Sequence, residues 1–80
     1  MSQLVMYSTL GCHLCEQAQR VVVAALGHTV AERDIVDDPQ WLTRYEVRIP
    51  VLQRLDNGAE LDWPFDAEGV RALLAKDRES

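Results

Sequence analysis

The sequence predicts an α/β domain with the element order β-α-β-α-β-β-α, built as a four-stranded mixed sheet flanked by three helices. Three observations lead to this fold class. An apolar run over 3–8 is broken by Ser8 to Gly11, and a segment of helical periodicity follows. Asp56-Asn57-Gly58 is a tight-turn signal between two short predicted strands, as in a β-hairpin. A last segment of helical periodicity follows the hairpin.

The first half of the chain is predicted to form a parallel βαβ unit. Gln3–Ser8 is almost continuously apolar, which is typical of a strand buried on both faces. The helix after it repeats apolar residues at spacings of three and four, and Gly27 follows as a left-handed C-terminal cap. Its predicted apolar face consists of Leu14, Ala18, Val21, Val22 and Ala25. Thr29–Val36 is predicted to be an edge strand, because three of its residues are charged.

The second half is predicted to contain a short helix, a hairpin and a closing helix. Asp38 and Pro39 suit the N-cap and first position of the short helix, whose apolar side comprises Trp41, Leu42 and Tyr45. Ile49–Leu55 and Ala59–Asp62 are the predicted hairpin strands. Asp66 is the predicted cap of the last helix, which carries Val70, Leu73 and Leu74 on one face.

Length and charge limit the classes of function. We expect the 80 residues to form one domain, 1–80, in which the polar end Lys76–Ser80 frays. A net charge of −5 argues against binding to nucleic acids or anionic membranes. Met1–Met6 shows no secretory signal, so we expect a cytoplasmic protein. In the cytoplasm, a pair of cysteines is catalytic, metal-binding or inert more often than it forms a static structural disulfide.

Cys12-His13-Leu14-Cys15 lies between the first strand and the first helix. The positive end of the helix dipole stabilises a thiolate at its first turn, and a two-residue spacer lets the sulfurs approach bonding distance. We expect Cys12 to be exposed and Cys15 to be buried behind it. A nucleophilic thiol beside a resolving thiol is what thiol–disulfide exchange requires.

Two other interpretations of the cysteines stay open at this point. Both cysteines can simply fill an apolar helix face, which suits Cys15 better than Cys12. A zinc site needs four ligands, and only His13 and His28 remain to join the two cysteines. His28 follows the far end of the predicted helix, so a metal or iron–sulfur site would have to be shared between two chains. We therefore predict no metal.

Four other residues are candidates for contact with a partner: Ile49, Pro50, Asp66 and His13. Pro50 either opens an edge strand without further meaning or, with a cis bond, presents the backbone of Ile49 to an extended partner beside Cys12. A protonated His13 would lower the pKa of the Cys12 thiol; alternatively, its side chain is solvent-exposed without a fixed role. Arg48 is either a contact for a substrate carboxylate or a solvated surface residue, and we expect the latter.

Three segments resemble the glutaredoxin branch of the thioredoxin superfamily. They are Val5-Met6-Tyr7-Ser8 ahead of the cysteine motif, Arg48-Ile49-Pro50-Val51-Leu52, and Trp63-Pro64-Phe65-Asp66. The chain is most similar to a small bacterial glutaredoxin-like family that combines a short C-x-x-C domain with a segment like that of Tyr45 to Leu52.

This resemblance implies a thioredoxin-like, glutaredoxin-type fold with Cys12 as nucleophile, Cys15 as resolving thiol and a cis Pro50. Asp66 falls where glutaredoxins place an aspartate that helps to hold the γ-glutamyl end of glutathione. The chain departs from glutaredoxins in having Trp63-Pro64 for a glycine pair, Thr9 for a lysine, and His13-Leu14 for Pro-Tyr.

The resulting expectation is a monomeric thiol–disulfide oxidoreductase that acts on a disulfide-containing protein or a low-molecular-weight thiol. It would hold no tightly bound cofactor, and glutathione is a candidate co-substrate. The alternative is a binding or adaptor module that keeps the fold but turns over little.

Overall fold

A computed structural model of the chain describes residues 3–75. Its strands are β1 (Leu4–Ser8), β2 (Ala31–Asp34), β3 (Val51–Arg54) and β4 (Glu60–Asp62), and its helices are α1 (His13–Leu26), α2 (Pro39–Tyr45) and α3 (Ala67–Ala75). A 3₁₀ turn, Ile35–Asp37, separates β2 from α2. The expected fraying of Lys76–Ser80 lies outside the described residues. None of the helices within 3–75 has the length and apolar character needed to cross a membrane.

The four strands form one sheet in the order β2-β1-β3-β4. β1 runs parallel to β2 and antiparallel to β3, which in turn pairs antiparallel with β4. The predicted element order and mixed sheet are therefore confirmed, and β2 lies at an edge as its charges indicated. The bounds of the strands are shorter than predicted by one to four residues.

Helices α1 and α3 cover one face of the sheet and α2 covers the other. Alternation along β1 divides its side chains between these two layers, which is why all five of its residues are buried. The first layer is built from Leu4, Met6, Cys15, Ala18, Val22, Leu52, Val70 and Leu73. The second is built from Val5, Tyr7, Ile35, Tyr45 and Val51, with Trp41 and Ile49 packed against it.

Three predicted helix caps are confirmed. Gly27 ends α1 in the left-handed region, with φ of 84°, and its N–H donates to the Val23 carbonyl at 2.8 Å. The Asp38 carboxylate accepts the Gln40 N–H at 2.8 Å at the start of α2. The Asp66 carboxylate accepts the Gly69 N–H at 2.8 Å at the start of α3. Each bond satisfies a backbone group that a helix end leaves without a partner inside the helix.

Three predictions about the elements were wrong in detail. Leu42, predicted on the apolar side of α2, is 38% exposed and is not among the residues of the second layer. Leu14 is not part of the apolar face of α1 but is 46% exposed, because the buried stripe runs through Cys15, Ala18 and Val22 and so lies to one side of it. The predicted strand Thr29–Val36 ends at Asp34, whose carboxylate accepts the Val36 N–H at 3.1 Å and so turns the backbone into the 3₁₀ turn.

The candidate site lies at one end of the sheet, where β1, β2 and β4 end and β3 begins. Tyr7 at the end of β1 pairs with Val51 at the start of β3, Val51 pairs with Asp62 at the end of β4, and Ser8 pairs with Asp34 at the end of β2. The segments 9–12, 35–37, 46–50 and 63–66 therefore meet at this end of the sheet, which we call the cysteine edge.

Candidate active site

Cys12 is the N-cap residue of α1 and has an extended backbone, with φ of −81° and ψ of 99°. Its Sγ accepts the N–H of Cys15 at 3.1 Å. Gly11 precedes it with φ of 77°, a conformation that glycine adopts readily and other residues rarely do. The loop thus places a sulfur at the positive end of a 14-residue helix, where backbone N–H groups favour a negative charge.

Cys12 and Cys15 are joined by a disulfide, with their Cα atoms 5.2 Å apart. Cys15 is only 3% exposed and belongs to the core layer under α1, whereas Cys12 is partly exposed at its margin. The two sulfurs therefore differ in access to solvent, in the order expected from the sequence. An incoming group meets Cys12 first, and Cys15 lies behind it.

The two residues between the cysteines face outward. The His13 side chain is 90% exposed and its Nδ1 lies 3.5 Å from the Glu16 carboxylate, one helical turn along α1. Of the two interpretations of His13, the structure shows the exposed side chain, and its polar contact is with Glu16.

The Ile49–Pro50 peptide bond, which the resemblance implied to be cis, is cis in the structure, and so is Trp63–Pro64. The Ile49 N–H donates to the Tyr45 carbonyl at 3.0 Å, and the Pro50 carbonyl accepts the Trp63 N–H at 3.2 Å. Because the Ile49 N–H is already used, a partner backbone would hydrogen-bond with the Ile49 carbonyl. The first of these bonds also explains why β3 begins at Val51 and not at Ile49 as predicted.

Asp66 lies on the α3 side of the cysteine edge. It borders an open groove of about 430 Å³, which is also lined by Leu61, Pro64, Phe65 and Gly69. Its carboxylate is already engaged as the cap of α3. Trp63 packs against the core layer under α1 and meets the Phe65 ring edge-on at 5.0 Å, so it is a packing residue where glutaredoxins have glycine.

Arg48 is not the solvated surface residue that we expected. Its guanidinium donates two hydrogen bonds to the Asp62 carboxylate, at 2.6 and 3.1 Å, and one to Glu60 at 2.7 Å. The same guanidinium lies over the Tyr45 ring at 5.3 Å. The sequence contained one indication of this cluster. Glu60 and Asp62 are two residues apart in a predicted strand, so their side chains lie on the same face. The sequence did not indicate that their partner would be Arg48, which lies 12 residues before Glu60 and outside the strand.

We call Arg48, Glu60, Asp62 and Tyr45 the Arg48 cluster. Their mutual contacts and their burial shift the pKa values of these groups. Burial raises the pKa of Glu60, but hydrogen bonds from Tyr45 and Arg48 outweigh it, so that pKa lies below its usual value. The hydrogen bond from Arg48 lowers the pKa of Asp62. Burial and the 2.6 Å hydrogen bond to Glu60 raise the pKa of the Tyr45 hydroxyl. The cluster therefore holds the segment 46–50 against β4 with both carboxylates charged.

These shifts predict a loss of stability in acid. A carboxylate whose pKa is lowered by folding contributes stability above its unfolded pKa, about 4, and loses it as pH falls through the lower folded value. We expect the wild type to lose more free energy of unfolding between pH 6 and pH 3 than Glu60→Gln does. Urea titrations at each pH measure this, with Glu46→Gln, which removes an exposed carboxylate, as control. Equal losses in wild type and Glu60→Gln would contradict the assignment.

No group of three or more His, Cys, Asp or Glu side chains within residues 3–75 is arranged to hold a metal ion. Asp37 and Asp38 are adjacent carboxylates, but that of Asp38 caps α2. His28 lies at the far end of α1 from the cysteines, where its Nδ1 contacts the Thr29 carbonyl.

Comparison with known proteins agrees with this geometry. Residues 3–75 match the glutaredoxin-like domain described as DUF836. The protein XcR50 from X. campestris is similar in its X-ray structure, with 40% identity, a TM-score of 0.79 and coverage of 91% of this chain and 96% of that one. Its solution structure gives 39% identity, a TM-score of 0.79 and 95% coverage of both chains.

A further solution structure, of protein Ne2328 from Nitrosomonas europaea, shares 28% identity and a TM-score of 0.70, covering 89% of this chain and 88% of that one. No curated protein matches the chain. The family match spans nearly the whole chain and includes both cysteines and Pro50. The chain therefore belongs to the glutaredoxin-like domain family of the thioredoxin superfamily.

Proposed function

We propose that this protein is a thiol–disulfide oxidoreductase in which Cys12 is the nucleophile and Cys15 the resolving thiol. One observation carries the proposal: the Cys12 Sγ caps α1 and accepts the Cys15 N–H, while Cys15 is buried within bonding reach behind it. A thiolate at Cys12 is favoured by the same hydrogen bond and by the helix dipole. Core packing alone would not leave Cys12 partly exposed at a helix start.

The reaction starts from the reduced dithiol. The Cys12 thiolate attacks one sulfur of a partner disulfide, forms a mixed disulfide and releases the other partner sulfur as a thiolate. Cys15, once deprotonated, attacks Cys12 Sγ, breaks the mixed disulfide and releases the second partner sulfur as a thiolate, which takes up a proton. The products are the Cys12–Cys15 disulfide and the partner in its dithiol form. The partner gains two electrons, and the protein is oxidised because it loses them.

Return to the dithiol requires an external thiol reductant, either a dithiol protein or a low-molecular-weight thiol such as glutathione. The proposed partner is a disulfide-containing protein or a small thiol compound, met by a monomer in the cytoplasm. Ile49 and Pro50 support this, because they lie at the cysteine edge opposite the end of β1. A partner backbone there would pair with the Ile49 carbonyl and bring its disulfide toward Cys12.

Alkylation of the reduced protein at graded pH tests the activated nucleophile. We expect the pKa of Cys12, measured from the rate of iodoacetamide addition, to lie below the ordinary thiol value of about 8.5. Cys15→Ser isolates the Cys12 signal, and the same variant unfolded in urea provides the reference. A Cys12 thiol that titrates alike in folded and unfolded protein would contradict the proposal.

A further inference from the structure

The cysteine edge carries exposed apolar side chains that the core does not use. Leu10, two residues before Cys12, is 91% exposed, and Val47, three residues before Pro50, is also 91% exposed. Val36 in the 3₁₀ turn is 62% exposed. These are the three most exposed large hydrophobic residues in the described part of the chain, and all three lie at this one edge. Leu14, between the two cysteines, adds a fourth.

The charges at the same edge are unsuited to an anionic substrate. The four segments that form the edge, 9–12, 35–37, 46–50 and 63–66, contain one cationic residue, Arg48. Its guanidinium is neutralised by Asp62 and Glu60. The same segments contain Asp37, Glu46 and Asp66. His13 on the first turn of α1 lies beside Glu16.

We propose that the substrate is a protein disulfide whose cysteine is flanked by apolar residues and lacks neighbouring carboxylates, in preference to glutathione disulfide. This rests on the proposed oxidoreductase function and names its substrate class. Apolar residues next to the partner cysteine would cover Leu10, Leu14 and Val47 and remove their surface from water. Each half of glutathione disulfide brings two carboxylates, which meet a net negative edge whose Arg48 is already paired.

Three probe disulfides separate these effects. The first is an acetylated and amidated peptide disulfide with Leu and Val beside each cysteine. The second is the same peptide with Asp in those positions, and the third is glutathione disulfide. Each is mixed with the reduced protein, and the second-order rate constant for forming the Cys12–Cys15 disulfide is measured by acid quench, alkylation and mass spectrometry. Each constant is divided by that of the same probe with free dithiothreitol, which removes intrinsic reactivity.

We expect the apolar peptide to exceed glutathione disulfide about tenfold in normalised rate, with the acidic peptide close to glutathione disulfide. Leu10→Ser and Val47→Ser should each reduce this preference about threefold. Leu55→Ser is the matched control, because Leu55 is 41% exposed at the opposite edge of the sheet, and it should leave the preference unchanged. Val47→Lys should also accelerate glutathione disulfide by adding an unpaired cation at the edge.

Equal or faster normalised reaction with glutathione disulfide would overturn the substrate class while leaving the oxidoreductase function intact. The same holds for a preference that Leu10→Ser and Val47→Ser leave unchanged. If no probe oxidises the reduced protein faster than it oxidises dithiothreitol, the proposed function fails as well. The rate with each probe thus separates the two failures.

Discussion

Replacement of Cys12 with serine is expected to lower the rate of disulfide reduction by at least about a thousandfold, because the hydroxyl cannot form the mixed disulfide. The change is nearly isosteric and keeps an N-cap side chain that accepts the Cys15 N–H, so α1 should still form. Loss of activity then reports the lost nucleophile and not an unfolded helix. The assay is reduction of a peptide disulfide, followed by the thiols it releases.

Cys15→Ser is the matched comparison. It leaves Cys12 able to attack but removes the thiol that releases the partner, so a mixed disulfide should accumulate on Cys12. Mass spectrometry without reductant would show an adduct on Cys15→Ser and none on Cys12→Ser. If Cys12→Ser captures partners as well as the wild type and neither protein reduces a disulfide, the chain is a binding module and the oxidoreductase assignment is wrong.

The second large effect concerns Arg54, which is fully buried although it is charged. Its guanidinium donates to the Asp56 carboxylate at 2.6 and 3.0 Å and to the carbonyls of Leu73 and Leu74 at 3.1 and 3.0 Å. The last two are backbone acceptors in the last described turn of α3, so the guanidinium lies against the negative end of that part of the helix. Arg54 therefore ties the hairpin to the end of α3.

We expect Arg54→Met to lower the free energy of unfolding by about 3 kcal/mol, since buried charge-assisted hydrogen bonds are lost and carbonyls of α3 lose their donor. That is a large share of the roughly 4–12 kcal/mol typical of a domain this size. Urea unfolding followed by circular dichroism measures it. Arg71→Met, which changes an exposed arginine of α3, is the control and should stay within about 0.5 kcal/mol. A loss below about 1 kcal/mol for Arg54→Met would contradict this role.

Local patterns were sufficient where a property depends on neighbours in the chain. The apolar run of β1, the caps at Asp38, Asp66 and Gly27, and the C-x-x-C motif at a helix start are all short-range features, and the structure contains each of them. Local patterns were insufficient at Leu14 and Cys15. Both residues suit the inner face of α1, and only the packing of the helix against the sheet decides which of them is buried.

Long-range pairings could not be derived in this way. Arg48 and Arg54 both look like surface residues in the sequence, because a charged side chain is normally exposed. Arg48 is instead paired across 12 and 14 residues, and Arg54 reaches carbonyls 19 and 20 residues away. Nothing local to either arginine indicates its acceptors, which come close only once β3, β4 and α3 have assembled.

The element order, the family and the position of the two cysteines at the start of α1 followed from sequence patterns alone, because strand and helix periodicity and cap chemistry are local. Sequence patterns did not indicate that Arg48 is neutralised by Glu60 and Asp62, or that Leu10, Val36 and Val47 share one edge with Cys12. These depend on the register of the sheet, which brings the ends of β1, β2 and β4 beside the start of β3.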